Sequence, residues 1–337
     1  MSVNLDKMQQ IKLDGIIAAQ KYLDMDIVVV GNEITPDNID DYYQKMYKNV
    51  KRSIYKIDSG QIDFRLAAAS CLDHQLILDI RNDLDIHEKM ALVELEVYPE
   101  RYRQIAIELG MPDHEYNGKG KKDPILKKRR NVIKSGLVFL GIYRGGVSTS
   151  ANVLGVPVDV AAVLLGKLFE HYPGIKRWHD DIQHFYSLNK CLRSITGALL
   201  EGPLGYGEMV NYGIQHATRY TVGKMMKRLS VDLQLNVFNE VHDEHNFDGD
   251  TADESIVLPK IAEVFCTPQD DWAKVLPLAC EIERSVLTKT GVGLGTMESI
   301  AEYSSKDFGW VETPIEEFEI FYKRQFQKVI RKPIIFI

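Results

Sequence analysis

Two acidic segments, far apart in the chain, carry residue types that could bind a metal. Asp58 ends an alternating segment at residues 52–58, directly before a Ser-Gly break, and Asp243 and Glu244 separate two short apolar segments. A carboxylate on a rigid strand end is well placed to hold a cation. Adjacent carboxylates raise each other's proton affinity unless a cation neutralises them. The pattern predicts metal chemistry, although Asp58 taken alone is more simply interpreted as a surface residue at a turn.

A predicted helix over residues 123–143 carries two pairs of side chains that could bind a nucleotide. An Asp-Pro start and a Gly-Gly stop delimit this helix. Arg130 and Lys134 are four residues apart and share a face, where they could bind a polyphosphate. Phe139 and Tyr143 have the same spacing and could stack on a base, although two core aromatics of a helix would show the same pattern.

Charge is unevenly distributed along the chain. The 337 residues include 41 Lys and Arg against 48 Asp and Glu, which gives a net charge of −7. Residues 119–134 alone hold eight basic residues and one acidic residue, a local charge of +7, so the rest of the chain carries −14. This basic segment could be an anion site, but a solvated helix face explains the charge equally well.

The composition excludes several classes of protein. With 45% hydrophobic and 26% charged residues, the chain is typical of globular proteins and is not predominantly disordered. No segment approaches the roughly 20 apolar residues of a membrane helix, and the first residues lack the apolar core of a signal peptide. Four scattered cysteines without a C-x-x-C pair argue against a disulfide scaffold or a zinc ribbon and favour a reducing cytoplasm.

Hydrophobic periodicity and the positions of Pro and Gly predict the elements that hold these residues. The predicted strands are short, few and separated by long helices, so the predicted fold class is α+β. The strands cover residues 27–30, 52–58 and two segments within 235–247. The helices cover 1–24, 37–47, 61–80, 86–109 with an interruption near Pro99, 123–143, 157–190 with an interruption at Pro173-Gly174, and 212–230, and residues 110–124 and 196–207 are loops.

Six segments resemble motifs in the polymerase core of family A DNA polymerases, the bacterial polymerase I and phage replicative type. Each segment is only modestly specific, but all six occur in the expected order over roughly residues 50–300. They are Asp58-x-x-Gln61-Ile62-Asp63-Phe64-Arg65 (motif A), Asp85-Ile86-His87, residues 129–146 (motif B), residues 168–178, Asn211-Tyr212-Gly213-Ile214-Gln215, and Val241-His242-Asp243-Glu244 (motif C).

The resemblance implies an architecture and partners. It implies a polymerase palm built on an antiparallel sheet, with helical fingers and no thumb in this chain. Residues 1–57 would be an N-terminal palm piece or docking segment, 58–110 palm with motif A, 111–195 fingers, and 196–337 palm with motif C and a C-terminal region. The expected partners are primer–template DNA, dNTPs and a second polypeptide supplying a thumb or exonuclease, and no membrane. The expected compartment is the cytoplasm of a bacterial or phage-infected cell.

The resemblance also implies roles for single residues. Asp58 and Asp243 would bind two Mg²⁺ ions, for which Mn²⁺ could substitute, and Glu244 could be a further ligand. Lys134 would bind phosphate and also protonate the leaving pyrophosphate. Asp63 would lie beside the sugar, where it could exclude a 2′-hydroxyl. The remaining nucleotide-binding residues would be Arg130, Phe139, Tyr143, Gln61 and His87, and the DNA-binding residues Asn211, Gln215, His242 and Arg65.

The predicted fingers helix departs from the family spacing by one residue. Lys134 and Phe139 would lie about 140° apart on a straight α-helix, at about 100° per residue, so they could not contact one nucleotide. Either Val138 takes the aromatic position, or the cations are not the functional ones, or a one-residue π-bulge brings both pairs to one face. We favour the bulge, because Gly136 and Gly141 loosen this helix.

The sequence departs from the family pattern at two other places. Residues 202–204 lack the family's basic G-R-R segment, and Asp63 stands where Glu is usual.

A catalytically silent, polymerase-like module that binds DNA or a partner is the main alternative, although it would not require Asp58 and Asp243. An unrelated metal-dependent phosphohydrolase would use the same carboxylates but would not explain the fingers-like helix or the motif order.

Overall fold

The computed structural model describes residues 52–116, 118–241, 243–267, 270–285 and 297–327. Two compact units divide the chain. The sheet unit comprises the residues up to Asp58, Met226–Val264 and Cys280–Tyr303, and the helical unit comprises Ser59–Met225, Phe265–Ala279 and the residues from Ser304. The predicted elements at residues 1–24, 27–30 and 37–47 lie outside the described residues. The predicted domain limits after residues 57, 110 and 195 stay predictions.

The described elements are short strands and longer helices, as the predicted α+β class requires. The strands are β1 (Arg52–Ser59), β2 (Cys191–Arg193), β3 (Leu199–Glu201), β4 (Val237–Val241), β5 (Glu244–Asp250), β6 (Ala279–Ser285) and β7 (Met297–Ser304). The helices are α1 (Ile62–Cys71), α2 (His74–Arg81), α3 (Ile86–Val97), α4 (Pro99–Glu108), α5 (Pro124–Ile133), α6 (Leu140–Ile142), α7 (Val147–Leu154), α8 (Val158–His171), α9 (Pro173–Asn189), α10 (Tyr206–Lys227), α11 (Glu254–Cys266) and α12 (Glu319–Gln325). Two π-helical turns follow α5 and α10, at Lys134–Phe139 and Arg228–Asp232.

The sheet unit is built on a five-stranded sheet in the order β4-β5-β1-β6-β7. Strand β5 pairs antiparallel with both β4 and β1. The β1 side chains alternate, so that Tyr55 and Ile57 are buried on one face. Tyr55 stacks on Phe247 at 5.3 Å and donates a 2.7 Å hydrogen bond to Glu254, the first residue of α11. The opposite face of β1 therefore carries Lys56 and Asp58.

The helical unit confirms two of the predicted helix interruptions and corrects one prediction. The helices break before Pro99 and before Pro173, as predicted. The continuous helix predicted over residues 61–80 is wrong, because α1 ends at Cys71 and α2 begins at His74. Asp73 caps α2 and its carboxylate also accepts a 2.6 Å hydrogen bond from the Gly174 amide. A side chain at Gly174 would clash with Asp73, so the glycine is needed for this contact.

Other elements of the helical unit were missed or placed differently by the sequence analysis. Helix α7 was not predicted, and the turn-rich segment at 196–207 contains β3, which pairs with β2. Helix α10 begins six residues before the predicted start at residue 212. Within the described residues no single helix is long and apolar enough to cross a membrane; α7 and α8 meet the length and composition criteria only as a pair bent by 106°.

Candidate functional site

The sheet unit brings the predicted acidic residues to one end of neighbouring strands. Asp58, near the end of β1, lies opposite Glu244, the first residue of β5, in the antiparallel register. Asp243 lies in the tight turn that joins β4 to β5, so the predicted hairpin is confirmed. His242 lies outside the described residues, and its predicted DNA contact stays a prediction.

The acidic groups of the sheet unit interact electrostatically. The pKa of Asp58 is raised to about 6, chiefly by burial, then by the negative charge of Asp243 and, to a smaller extent, by those of Glu244 and Glu281. Lys56 opposes this rise. The charge of Asp243 therefore disfavours ionisation of Asp58, as expected for carboxylates that share a site.

Three charged residues at this end of the sheet were missed by the sequence analysis. The Lys56 ammonium forms an ion pair with Glu283 and lies 3.7 Å from Oε2 of Glu244. Although burial opposes it, the hydrogen bond with Glu283 raises the pKa of Lys56. Glu281 and Glu283 are two residues apart on β6. Strand alternation placed Lys56 on the face of Asp58, and this signal was available in the sequence.

The donor chemistry of this cluster fits Mg²⁺ bound together with a substrate. Within the described residues, no group of three or more His, Cys, Asp or Glu side chains forms a metal-binding cluster. Mg²⁺, however, is commonly held by one or two carboxylates, with waters and substrate phosphates completing the octahedron. Asp58 and Asp243 supply such a pair, and their repulsion would be relieved by a cation. The assignment of Asp58, Asp243 and Glu244 as ligands stays a prediction.

The fingers helix contains the predicted π-bulge. Asp123 caps its start by accepting hydrogen bonds from the amides of residues 125 and 126, and the six residues from Lys134 to Phe139 are π-helical. The extra residue in this turn brings Lys134 Nζ to 5.7 Å from the Phe139 ring centroid. Phe139 stacks on Tyr143 at 6.0 Å. The cation and both aromatic rings thus share one face, which a straight α-helix would not allow.

Two cations of the basic segment at 119–134, Arg129 and Lys128, are engaged in ion pairs with glutamates. Arg129 and Glu94 are both almost fully buried and form a two-pronged ion pair, in which Nε lies 2.7 Å from Oε2. Lys128 lies 3.2 Å from Glu108 at the surface. These ion pairs partly neutralise the local charge of +7. The sequence alone therefore overestimates the positive charge that is available to bind an anion.

Two residues predicted to bind the nucleotide are otherwise placed in the helical unit: Arg130 forms an ion pair, and His87 is buried. Arg130 Nε lies 2.6 Å from Oδ2 of Asp85, which also caps α3. His87 is only 1% exposed, and its ring lies between those of Phe64 and Phe139 at 5.5 and 5.9 Å. Burial lowers the pKa of His87 to about 4, so its imidazole is neutral at pH 7. A phosphate would have to displace Asp85 from Arg130, and the nucleotide contact of His87 stays a prediction.

Asp63, the predicted sugar-site residue, accepts two hydrogen bonds. Oδ2 accepts one from the Tyr143 hydroxyl at 3.2 Å, and Oδ1 accepts the other from the Thr218 hydroxyl on α10. Burial raises the pKa of Tyr143, and Asp63 adds to this rise, so the phenol stays protonated and donates. Neither this contact between the fingers helix and motif A nor the one with Thr218 was predicted, and the role of Asp63 beside the sugar stays a prediction.

The predicted DNA-binding residues of the helical unit differ in accessibility. Asn211 is half-buried and Gln215 is exposed, and both lie on one face of α10. Gln61 is exposed at the start of α1 in a left-handed conformation, with φ of 57°. Arg65 donates to the backbone carbonyls of Gly60, at 2.9 Å, and Pro277. Its guanidinium is thus largely committed to the fold, and its DNA contact stays a prediction.

Comparisons with known proteins identify a polymerase-like fold. No protein-family profile matches the chain. A stretch of 129 residues, 38% of this chain and 12% of the relative, is 26% identical to DNA polymerase I of Bacillus caldotenax. Among solved structures, the POL domain of Pol1 from M. smegmatis, in complex with DNA primer-template and dNTP, is similar with a TM-score of 0.51 at 14% identity; the match covers 69% of this chain and 39% of that chain. The chain thus spans well under half the length of either protein.

Proposed function

We propose that the chain is the catalytic part of a template-directed DNA polymerase, which transfers a nucleotide from a dNTP to a primer 3′-hydroxyl. The observation that carries the proposal is the strand register that places Asp58 opposite Glu244, directly after the turn that holds Asp243, at one end of the sheet in a polymerase-like fold. A protein with a purely structural role would have no need for a second carboxylate that disfavours the ionisation of Asp58.

The residues of the chain have defined roles in the proposed reaction. Asp58 and Asp243 would hold Mg²⁺, or Mn²⁺ in its place, with Glu244 nearby. When bound, two such ions would lower the pKa of the primer hydroxyl and neutralise charge on the triphosphate. Lys134, on the face of the π turn that carries Phe139, would bind phosphate and donate a proton to the leaving pyrophosphate.

The proposed partners are primer–template DNA, dNTPs and a second polypeptide. Asn211 and Gln215 on α10 would contact the duplex. The second polypeptide follows from the sequence resemblance alone, and a trap assay tests it. Primer extension by the purified chain in excess unlabelled DNA should give short products, and a partner that supplies further DNA contacts should lengthen them. Long products from the chain alone would contradict this expectation.

Primer extension with single-charge variants tests the proposed reaction. Asp58→Asn and Asp243→Asn should each abolish Mg²⁺-dependent incorporation, because each removes a ligand charge while keeping the side-chain shape. Asp253→Asn is a matched control, since Asp253 is an exposed carboxylate of the same unit. Near-normal incorporation by either active-site variant would contradict the two-metal assignment, whereas loss in the Asp253 variant would indicate a general charge effect.

A catalytically silent module that binds DNA is the second candidate, and one ion pair and one buried side chain of the helical unit favour it. Arg130 is paired with Asp85, and His87 is buried. Neither Arg130 nor His87 is therefore presented to a nucleotide. The two functions differ in one experiment. A silent module would bind primer–template DNA in a filter or fluorescence assay and would incorporate no nucleotide with either Mg²⁺ or Mn²⁺.

A further inference from the structure

One threonine, absent from the predicted site, holds the Asp63 carboxylate in place. Thr218 and Tyr143 each donate to a different oxygen of Asp63. A single hydrogen bond would leave the Asp63 carboxylate free to rotate about its last torsion, whereas two donors on the two oxygens fix its plane. Thr218 is only 8% exposed, so water competes little for its hydroxyl.

The hydroxyl of Thr218 is used in an unusual way for a threonine inside a helix. A helical threonine commonly donates to the carbonyl one turn earlier in its own helix. Thr218 instead donates across to Asp63 on α1, and thereby ties α10 to the first turn of the motif A helix. The hydroxyl contact therefore serves the orientation of Asp63 rather than the local geometry of α10.

The same face of α10 carries the residues predicted to contact the duplex. Asn211, Gln215 and Thr218 are spaced at i, i+4 and i+7, within about 60° of arc at about 100° per residue. Exposure falls along this face from Gln215, which is exposed, to Thr218, which is buried. The face thus leads from solvent to the carboxylate predicted to lie beside the sugar.

We propose that Thr218 is a positioning residue that orients Asp63 for the choice between deoxyribose and ribose, an inference that rests on the proposed polymerase function. Asp63 is a short acid, and its reach toward a bound sugar depends on which way its carboxylate faces. Without the Thr218 donor, Asp63 keeps only the hydrogen bond from Tyr143 and rotates. A rotated carboxylate excludes a 2′-hydroxyl less well, so the specificity for dNTPs falls.

Single-nucleotide incorporation by the purified full chain tests the inference, with kcat/KM measured for a dNTP and for the matching rNTP. Thr218→Val removes the donor and keeps the shape. It should lower the dNTP-to-rNTP ratio about ten- to hundredfold, the range expected for one hydrogen bond to a charged group. Thr218→Ser keeps the donor and should retain the ratio. Thr218→Ala repeats the removal with a smaller side chain, should Thr218→Val fold poorly.

Thr221→Val is the matched control on the same helix. Thr221 is fully buried, and its hydroxyl makes no hydrogen bond within the described part of the chain, so this variant should keep the ratio. A double-mutant cycle with Asp63→Ala tests whether Thr218 acts through Asp63. In the Asp63→Ala background, Thr218→Val should cause no further loss of specificity.

The possible outcomes separate the positioning role from the proposed function. An unchanged ratio in Thr218→Val, an equal loss in Thr221→Val, or a full further loss in the Asp63→Ala background would each overturn the role of Thr218 while leaving nucleotide incorporation established. No incorporation by the wild-type chain would overturn both. Melting temperatures of all variants, measured in parallel, identify any loss that comes from unfolding.

Discussion

Asp58→Asn should stabilise the metal-free protein at neutral and alkaline pH. The pKa of Asp58 is raised from its ordinary value of 3.8 to about 6 by burial and by Asp243. Below pH 3.8 the carboxyl is protonated in both the folded and the unfolded state. As pH rises toward 6, the unfolded chain ionises first, so the free energy of unfolding falls, and the loss persists above pH 6. Asparagine, which stays neutral, avoids this loss.

The size of the effect follows from the change in proton affinity. The rise from 3.8 to about 6 corresponds to about 3 kcal/mol at most, at about 1.4 kcal/mol for each tenfold change. Asp58 keeps some contact with solvent, and water screens the repulsion. We therefore expect Asp58→Asn to stabilise the protein by about 1 kcal/mol at pH 8 and by much less at pH 4.

The assay must report on the sheet unit. The chain has three tryptophans, Trp178, Trp272 and Trp310, and all lie in the helical unit. Tryptophan fluorescence therefore reports mainly on that unit. Amide hydrogen exchange of β1 and β5 in EDTA, at pH values from 4 to 8, measures the opening of the sheet directly.

Two controls accompany this test: removal of an exposed charge elsewhere in the sheet unit, and addition of Mg²⁺. Asp253→Asn removes an exposed carboxylate of the same unit and should show little pH-dependent gain. Mg²⁺ should stabilise the wild-type sheet unit, as any ligand of the folded state does, and should have less effect on Asp58→Asn. Equal destabilisation by Asp58→Asn at pH 4 and pH 8 would show that repulsion between carboxylates does not govern this site.

Three further variants test the helical unit. Lys134→Ala should slow incorporation at saturating dNTP about ten- to hundredfold, because it removes a charge-assisted phosphate contact; rapid-quench kinetics measure this, and an unchanged rate would contradict the role. Asp85→Asn should lower the KM for dNTP, because it releases Arg130 from the 2.6 Å ion pair and keeps a side-chain oxygen to cap α3. A higher KM would count against a phosphate contact of Arg130. Glu94→Gln should lower the free energy of unfolding by about 3 kcal/mol, because Arg129 would stay buried without its counter-charge. Urea denaturation followed by tryptophan fluorescence measures the loss, and a change below about 1 kcal/mol would show that the pair is not important for stability.

Features that depend on a few neighbouring residues could be predicted from the sequence. Proline lacks an amide hydrogen and restricts the residue before it, so the interruptions at Pro99 and Pro173 follow from local chemistry. Asp123 before Pro124 predicts a helix start for the same kind of reason. The π turn in the fingers helix was favoured over two alternatives, because the family resemblance places both side-chain pairs on one face and their spacing is one residue out of register for a straight α-helix.

Features that depend on partners far apart in the chain could not be predicted. The break between α1 and α2 at Asp73 is stabilised by the amide of Gly174, and no local signal in residues 61–80 reveals that contact. The pairing of Arg130 with Asp85 was hidden in the same way. Both residues belong to segments that resemble motifs, and Arg130 was predicted to bind a phosphate, not Asp85.

The sequence by itself determined the class of elements, the order of the motifs and the carboxylates that could do chemistry, because these depend on residue type and spacing. Only the tertiary structure decided how the side chains are used. It buried His87, and it gave Asp63 a second donor in Thr218. A hydrogen bond or an ion pair depends on distances of about 3 Å between atoms, and residues remote in sequence reach such distances only after the chain has packed.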